Sequence, residues 1–264
     1  MACAAPALVI FLAFWLLPMA RLVAIGASGP EGAAAYLDIV THASYFRSFV
    51  ATTLLSLVVT ASTLVFATIA GVFLERNDFR GREVLVSLVT FPLAFPGVVV
   101  GFLIIILAGR QGILPKVLEA LGASGGVFAY GLVGLYLGYL YFSLPRVIVT
   151  VMAAASKLDP AIEEAARSLG ASPLRVALDV LLPAMVPALT ASGAICFATS
   201  MGAFGTAFTL ATKVTVLPIT IYNEFTNYAN FASAASLSIV LGILTWLALG
   251  VARSLSGASI AAAA

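Results

Sequence analysis

The stretch EEAARSLGASPLRVALDVLLP, Glu163 to Pro183, decides how this chain is read. It is a charged island in a sequence otherwise written in Ala, Leu, Val, Ile, Gly and Phe. Just ahead of it, Asp159-Pro160 makes a helix start: the aspartate accepts from free N–H groups and proline suits the first turn. Glu163 and Glu164 then fall near the positive end of the helix dipole. Ile162, Ala165, Ala166 and Leu169 follow the i, i+3, i+4, i+7 spacing and form one small apolar face. Glu163 and Arg167 make an i,i+4 pair on its flank. Gly170 stands where glycine releases a helix, and Ser172-Pro173 repeats the capping pattern and launches a second helix at an angle. On this physics alone, a connector resting on the bilayer stands beside a docking element. An interfacial helix favours large apolar and basic side chains. This one carries Ala and Glu, which tilts the reading toward a protein partner.

The surroundings set the environment. The chain has 264 residues, 62% hydrophobic and 9% charged, with a mean hydropathy of +1.13. A soluble domain carries about 25% charged residues, so a fully water-facing surface is excluded. The net charge of +2 is spread out and gives no basic stripe for nucleic acid. Cys3 and Cys196 lie far apart and support neither a disulfide framework nor a metal site.

A membrane helix needs about 20 mainly apolar residues. Six segments qualify: 6–25, 49–74, 84–108, 127–155, 176–211 and 231–251. Their continuous apolar character distinguishes them from barrel strands, which alternate. The first run lacks a basic n-region and reads as a retained helix. The fifth is too long for one straight span and is expected to cross from about Leu182. The expected fold is an all-α integral membrane protein of six transmembrane helices. It forms one domain over 1–264, with a cytoplasmic helix between the fourth and fifth spans. Arg76, Arg80, Arg82, Lys157, Arg167, Arg175 and Arg253 share one side; Arg47, Arg110, Lys116 and Lys213 share the other, with Arg21 at its edge. The positive-inside rule places the richer side, the island and both termini in the cytoplasm.

The expected span interiors hold no Asp, Glu, Lys or His. Ion- and proton-coupled carriers use such groups near the membrane centre, so energy is expected to enter from elsewhere. It does not enter through an ATP site of this chain. The P-loop needs a Gly-Lys pair, and none of Lys116, Lys157 and Lys213 follows glycine. No nucleophile, base or zinc-ligand cluster supports an enzyme. Arg146, toward the cytoplasmic part of the fourth span, is read as snorkelling to the interface. His42, the single histidine, is read as a solvated loop side chain.

Glu164-Ala165-Ala166, three residues, Gly170, nine residues, then Val180-Leu181-Leu182-Pro183 resembles the EAA loop of membrane subunits of binding-protein-dependent ABC importers. The pattern there is EAA, three, Gly, nine, Ile-x-Leu-Pro; Val180 in place of Ile is the one departure. The resemblance covers about 49–253, with 6–25 as an additional first helix. It implies a MetI-like permease subunit in the bacterial inner membrane. Its coupling helix, built on Glu163, Glu164, Ala165, Ala166 and Gly170 with Leu182 and Pro183 closing the loop, sits in a groove of a separate ATPase. The implied partners are two ATPase subunits, which bind ATP and magnesium, a second permease subunit and a solute-binding protein. This chain itself is expected to hold no cofactor and no metal, and to touch lipid.

Two further stretches bear on a path. FPLAFPGVVVG, 91–101, places Pro92 and Pro96 inside the third expected span, where a kink or local unwinding follows. It serves packing or a path equally well. TSMGAFGTAFT, 199–209, is glycine- and hydroxyl-rich, so helices approach closely there and hydroxyls can face a route. Path candidates are Pro92, Pro96, Tyr139, Thr199, Ser200, Gly202, Phe204 and Thr206, although core packing is the simpler role for Tyr139 and its neighbours Tyr136 and Tyr141. Related permeases often carry Gly-Glu-Phe-Gly where this chain has Gly202-Ala203-Phe204-Gly205. The missing carboxylate removes an acidic contact at Ala203. VLPITIYNEF, 216–225, resembles the outside segment between spans five and six, at a gate or docking surface. It points to the branch serving spermidine/putrescine, ferric iron, organophosphonates and other small ions. A polyamine cargo is expected on resemblance alone. A stand-alone carrier or channel is the alternative of another class.

Overall fold

The computed structural model describes residues 5–122, 126–212 and 214–263, and the side chains of all of these except 253 and 255–263. Cys3, Lys213 and the Arg253 side chain, used above, lie outside the described residues. Within them, the regular elements are all helical. In lipid each backbone N–H and C=O must find a partner inside its own segment, which long helices provide. In chain order they are α1 (Ala5–Gly26), α2 (Ala43–Arg76), α3 (Arg82–Thr90), α4 (Gly97–Ala108), α5 (Ile113–Ala120), α6 (Leu132–Ala155), α7 (Pro160–Ser168), α8 (Pro173–Met201), α9 (Phe204–Leu210), α10 (Leu217–Thr226) and α11 (Phe231–Ala263). Among the described residues, six stretches are long and apolar enough to cross a membrane: α1, α2, Gly97–Ala120, α6, α8 and Phe231–Ala252 of α11.

Two expected spans are corrected. The third, expected over 84–108, is interrupted: α3 passes into a 3-10 turn at Phe91–Ala94, and Phe95 and Pro96 are extended before α4 begins. Pro92 and Pro96 lack the N–H that a continuous helix needs there, so the membrane-length stretch starts at Gly97 instead. The fifth, expected to reach Ala211, stops at Met201. Gly202 and Ala203 leave helical geometry, and the apolar sequence continues as the separate α9. Composition does not show this break, because both sides of it are apolar. At the other end of α8, Val176–Leu181 widens to π geometry just ahead of Pro183 and Pro187. Pro183 has no N–H to offer the Asp179 carbonyl, and a widened turn accommodates the missing bond.

The chain divides into two compact units, one drawn from residues up to Thr53 and from Thr215–Thr245, the other from Leu54–Val214 and from Trp246 onward. In the first, Thr52 Oγ1 accepts from the Leu217 N–H at 2.8 Å and Thr220 Oγ1 bonds Ser48 Oγ at 3.0 Å. Ile39, Leu217 and Leu237 form its buried apolar cluster. The expected gate or docking segment is α10, with Leu217, Thr220 and Glu224 buried and Phe225 exposed. His42 is half solvated, with Nδ1 3.5 Å from Asp38.

In the second unit, α2, α6 and α8 share a core of Ala67, Leu74, Val147, Ile148, Val151, Ala155, Met185 and Cys196. Lipid is as apolar as these side chains, so small residues and close packing, not water exclusion, hold such helices together. Gly71 shows it: a Cβ there would lie 2.6 Å from Val151 Cγ1. Gly101 of α4 does the same against the Thr209 side chain of α9.

Candidate functional site

The island folds as its sequence spacing predicts. The Asp159 carboxylate accepts from the Ala161 N–H at 2.9 Å, and Pro160 opens α7. Gly170 closes it at φ +85°, a conformation that costs other residues. The Gly170 N–H reaches the Arg167 carbonyl at 2.9 Å and the Ala171 N–H that of Ala166 at 3.1 Å, satisfying the last turn. Ser172 Oγ accepts from the Arg175 N–H at 3.4 Å at the start of α8.

The two faces of α7 differ sharply. Ile162 is 54% and Leu169 90% exposed, with Ala165 exposed beside them and Ala166 half-buried. An apolar face of this kind is left open by the chain. Glu164 is exposed, as are Leu182 and Pro183, while Leu181 is buried. Glu163 turns the other way. It is only 6% exposed, with Oε1 2.7 Å from Arg76 Nε and Oε2 3.6 Å from Arg167 Nη2. The expected i,i+4 pair therefore exists, but Glu163 sits under the helix rather than on a solvated flank. Arg76 ends α2, and its Nη2 also donates to the Leu158 carbonyl at 3.0 Å. The Nε–Oε1 approach is an ion contact, not an aligned hydrogen bond. Arg82 braces the same helix end, donating to the Leu74 carbonyl with Nη2 3.4 Å from Glu75.

A second feature lies within the same unit. A cavity of about 240 Å³ opens among Gly97, Tyr139, Phe142, Ser143, Thr199, Ser200, Gly202, Ala203, Gly205 and Thr206. It gathers five of the eight path candidates: Tyr139, Thr199, Ser200, Gly202 and Thr206. Pro92 is instead buried in the 3-10 turn, Pro96 caps α4 and Phe204 points its ring at Phe208, 5.4 Å away between centroids. Hydrogen bonds fix the walls. Tyr139 Oη donates to the Ala203 carbonyl at 2.9 Å and Thr206 Oγ1 to the Gly97 carbonyl at 3.0 Å. Thr199 Oγ1 returns to the Ile195 carbonyl at 2.9 Å, whereas Ser200 Oγ is buried without a protein partner. No lining residue is acidic. Arg146 is half-buried, its guanidinium carbon 5.5 Å from the centroid of the Phe142 ring, one helical turn back. The expected snorkelling side chain thus rests on an aromatic wall residue.

Sequence reasoning placed Arg76 only as a cytoplasmic charge and passed over Phe142 and Ser143. An arginine in the last turn of a span, followed by Asn-Asp, looks like any helix-end cation. Ser143 carried one signal, a hydroxyl inside an apolar span two residues after Tyr141.

Comparison with known proteins places the architecture. Residues 64–257 match the family described as binding-protein-dependent transport system inner membrane component. The molybdenum transport system permease protein ModB of Escherichia coli K12 is 30% identical over 211 residues, 77% of this chain and 91% of that protein. The sulfate transport system permease protein CysT of Salmonella typhimurium is 29% identical over 230 residues, 85% of this chain and 82% of that one. A putative 2-aminoethylphosphonate transport system permease protein of Salmonella typhi is 27% identical over 251 residues, 91% of this chain and 87% of that one. Among solved structures, a bacterial alginate ABC transporter in complex with its alginate-bound periplasmic protein aligns with a TM-score of 0.83 at 17% identity, over 97% of this chain and 92% of that chain. The MetNI methionine ABC transporter aligns at 0.60 and 17% identity, over 82% of this chain and 98% of that chain. At such identities the likeness is one of fold. The sequence match runs from the later part of α2 into α11, including α7 and the cavity, and the chain belongs to the binding-protein-dependent transport system inner membrane components, the MetI-like ABC permeases.

Proposed function

We propose that this chain forms the cargo path of an ABC importer and takes its driving force through α7 from a separate ATPase. The observation that carries the reading is the open apolar face of Ile162, Ala165 and Leu169 on a helix whose opposite side is tied into the chain. A solvated connector has no reason to expose Leu169 almost fully, and the Ala-lined contour suits a groove. The assembly is two ATPase subunits holding ATP and magnesium, a second permease subunit and an external solute-binding protein. Family membership and the arginine-rich side, with Arg76, Arg80, Arg82, Lys157, Arg167 and Arg175, support α7 and both termini in the cytoplasm.

The cargo is a small oxyanion. The relatives named above are molybdenum, sulfate and aminoethylphosphonate permeases. The cavity supports the same class: it holds hydroxyls and backbone groups but no carboxylate, and Arg146 lies against its Phe142 wall. A polyamine, the cargo expected from sequence resemblance, finds no carboxylate to pair with there, and none of these relatives is named for one. Ferric iron lacks acidic partners for the same reason. The test is uptake into vesicles containing the assembled transporter, its binding protein and ATP. Sulfate, molybdate and 2-aminoethylphosphonate are offered against spermidine and ferric citrate. Accumulation of an oxyanion that requires ATP supports the reading. ATP-independent uptake by this chain alone supports a stand-alone carrier and overturns it.

A further inference from the structure

We propose that Arg76 is a positioning residue for energy coupling: it locks α7 to the end of α2, so that the two move as one body when the ATPase acts. The inference rests on the docking role of α7 proposed above and adds where the motion goes next. The sequence offers α7 two covalent routes, back into α6 through 156–159 and forward into α8 through 169–172. Both are short non-helical links, and Gly170 at φ +85° forms the turn in one of them. Beyond these links, α7 packs on Val176–Leu181 at the start of α8.

Arg76 supplies a third attachment to a helix with no covalent link to α7. Its side chain is 19% exposed, and the Glu163 side chain it meets is 8% exposed. The guanidinium spans two targets at once: Nε faces Glu163 Oε1 at 2.7 Å, and Nη2 donates to the Leu158 carbonyl at 3.0 Å. One target lies on the first turn of α7 and the other in the turn that precedes it. A planar fork held at two points resists both sliding and rotation. The base of the fork is held too, since Arg82 reaches the Leu74 carbonyl and Glu75 on the same last turns of α2. A buried charge with its partner removed is costly, so the contact persists while α7 is pushed. The apolar core of Ala67, Leu74, Val151 and Ala155 then continues the same contact along α2 and α6.

The experiment uses the assembled transporter in vesicles and reads two quantities: ATPase subunit retained per permease, and sulfate or molybdate moved per ATP hydrolysed. Arg76→Lys keeps the charge beside Glu163 but cannot reproduce the two-point fork. Arg76→Met with Glu163→Met removes both charges and leaves an apolar contact that folds. We expect both variants to retain the ATPase subunit while cargo per ATP falls about tenfold, the size of an ordinary coupling free energy. A purely structural role predicts lower yield with an unchanged ratio, and an unchanged ratio in both variants overturns the proposal. Ile162→Glu with Leu169→Glu separates this from the docking reading. If that pair leaves ATPase retention intact, docking through α7 fails. If retention is lost there but the ratio holds in the Arg76 variants, only the lock fails.

Discussion

Tyr139 donates its hydroxyl to the carbonyl of Ala203, 2.9 Å away, and so pins the fourth span to the break between α8 and α9. The carbonyl belongs to Ala203, which stands just ahead of α9, outside helical geometry. In a span, such a group needs a partner. Tyr139 is 2% exposed, and its ring fills one wall of the cavity.

Tyr139→Phe removes that donor with little change in shape. The expected cost is about 0.5–1.5 kcal/mol, that of losing one buried hydrogen bond. Thermal unfolding of the purified transporter in detergent should shift down. Uptake should fall more than ATPase retention, because the break at 202–203 lies far in sequence from α7.

Gly101 is the contact point of α4 with α9. Gly101→Ala drives a methyl group into the Thr209 side chain. Overpacking of this kind costs about 1–3 kcal/mol. Pairing it with Thr209→Ala removes the Oγ1 that the methyl meets first but keeps Cβ 2.8 Å away, so it should restore part of the lost stability, which denaturation of the single and double variants compares directly.

The ends of α7 carry separate predictions. Asp159→Ala loses the cap on the Ala161 N–H, at about 1 kcal/mol. Gly170→Ala meets open space but must adopt φ +85°, at about 1–2 kcal/mol. Both should raise amide exchange in residues 160–168 of the purified chain without altering exchange in α6.

Bulk on the exposed face should uncouple. Ala165→Trp projects from the open side, so ATPase retention should fall with expression unchanged. Ala166→Trp, whose site is half-buried, should also disturb the packing of α7 on Val176–Leu181 and lower yield. Equal expression yields of the two would contradict the assigned faces.

Much of this site was legible in local sequence. Asp159, Pro160 and Gly170 act within a few residues of themselves, so caps and turn follow from spacing. Pro92 and Pro96 announced the interruption of the third span for the same reason. Thr199, Ser200, Gly202 and Thr206 announced a polar lining by standing out from an apolar run. What was hidden is tertiary. Helical periodicity sets Glu163 apart from the apolar face, and nothing near it in sequence reveals that Arg76 lies beneath. The break after Met201 is likewise held by Tyr139, from another span, and the apolar residues of α9 concealed it.

The central claim is that α7 meets the ATPase through its open face. Leu169→Cys, with Cys3 and Cys196 replaced by Ala, carries a benzophenone label on the most exposed residue of that face, and Ile69→Cys on α2 serves as the control. Irradiation of the assembled transporter in its membrane should join the label at 169 to the ATP-hydrolysing subunit and leave the label at 69 unattached to it. A transporter that hydrolyses ATP and imports cargo with the label at 169 joined only to lipid would contradict the account.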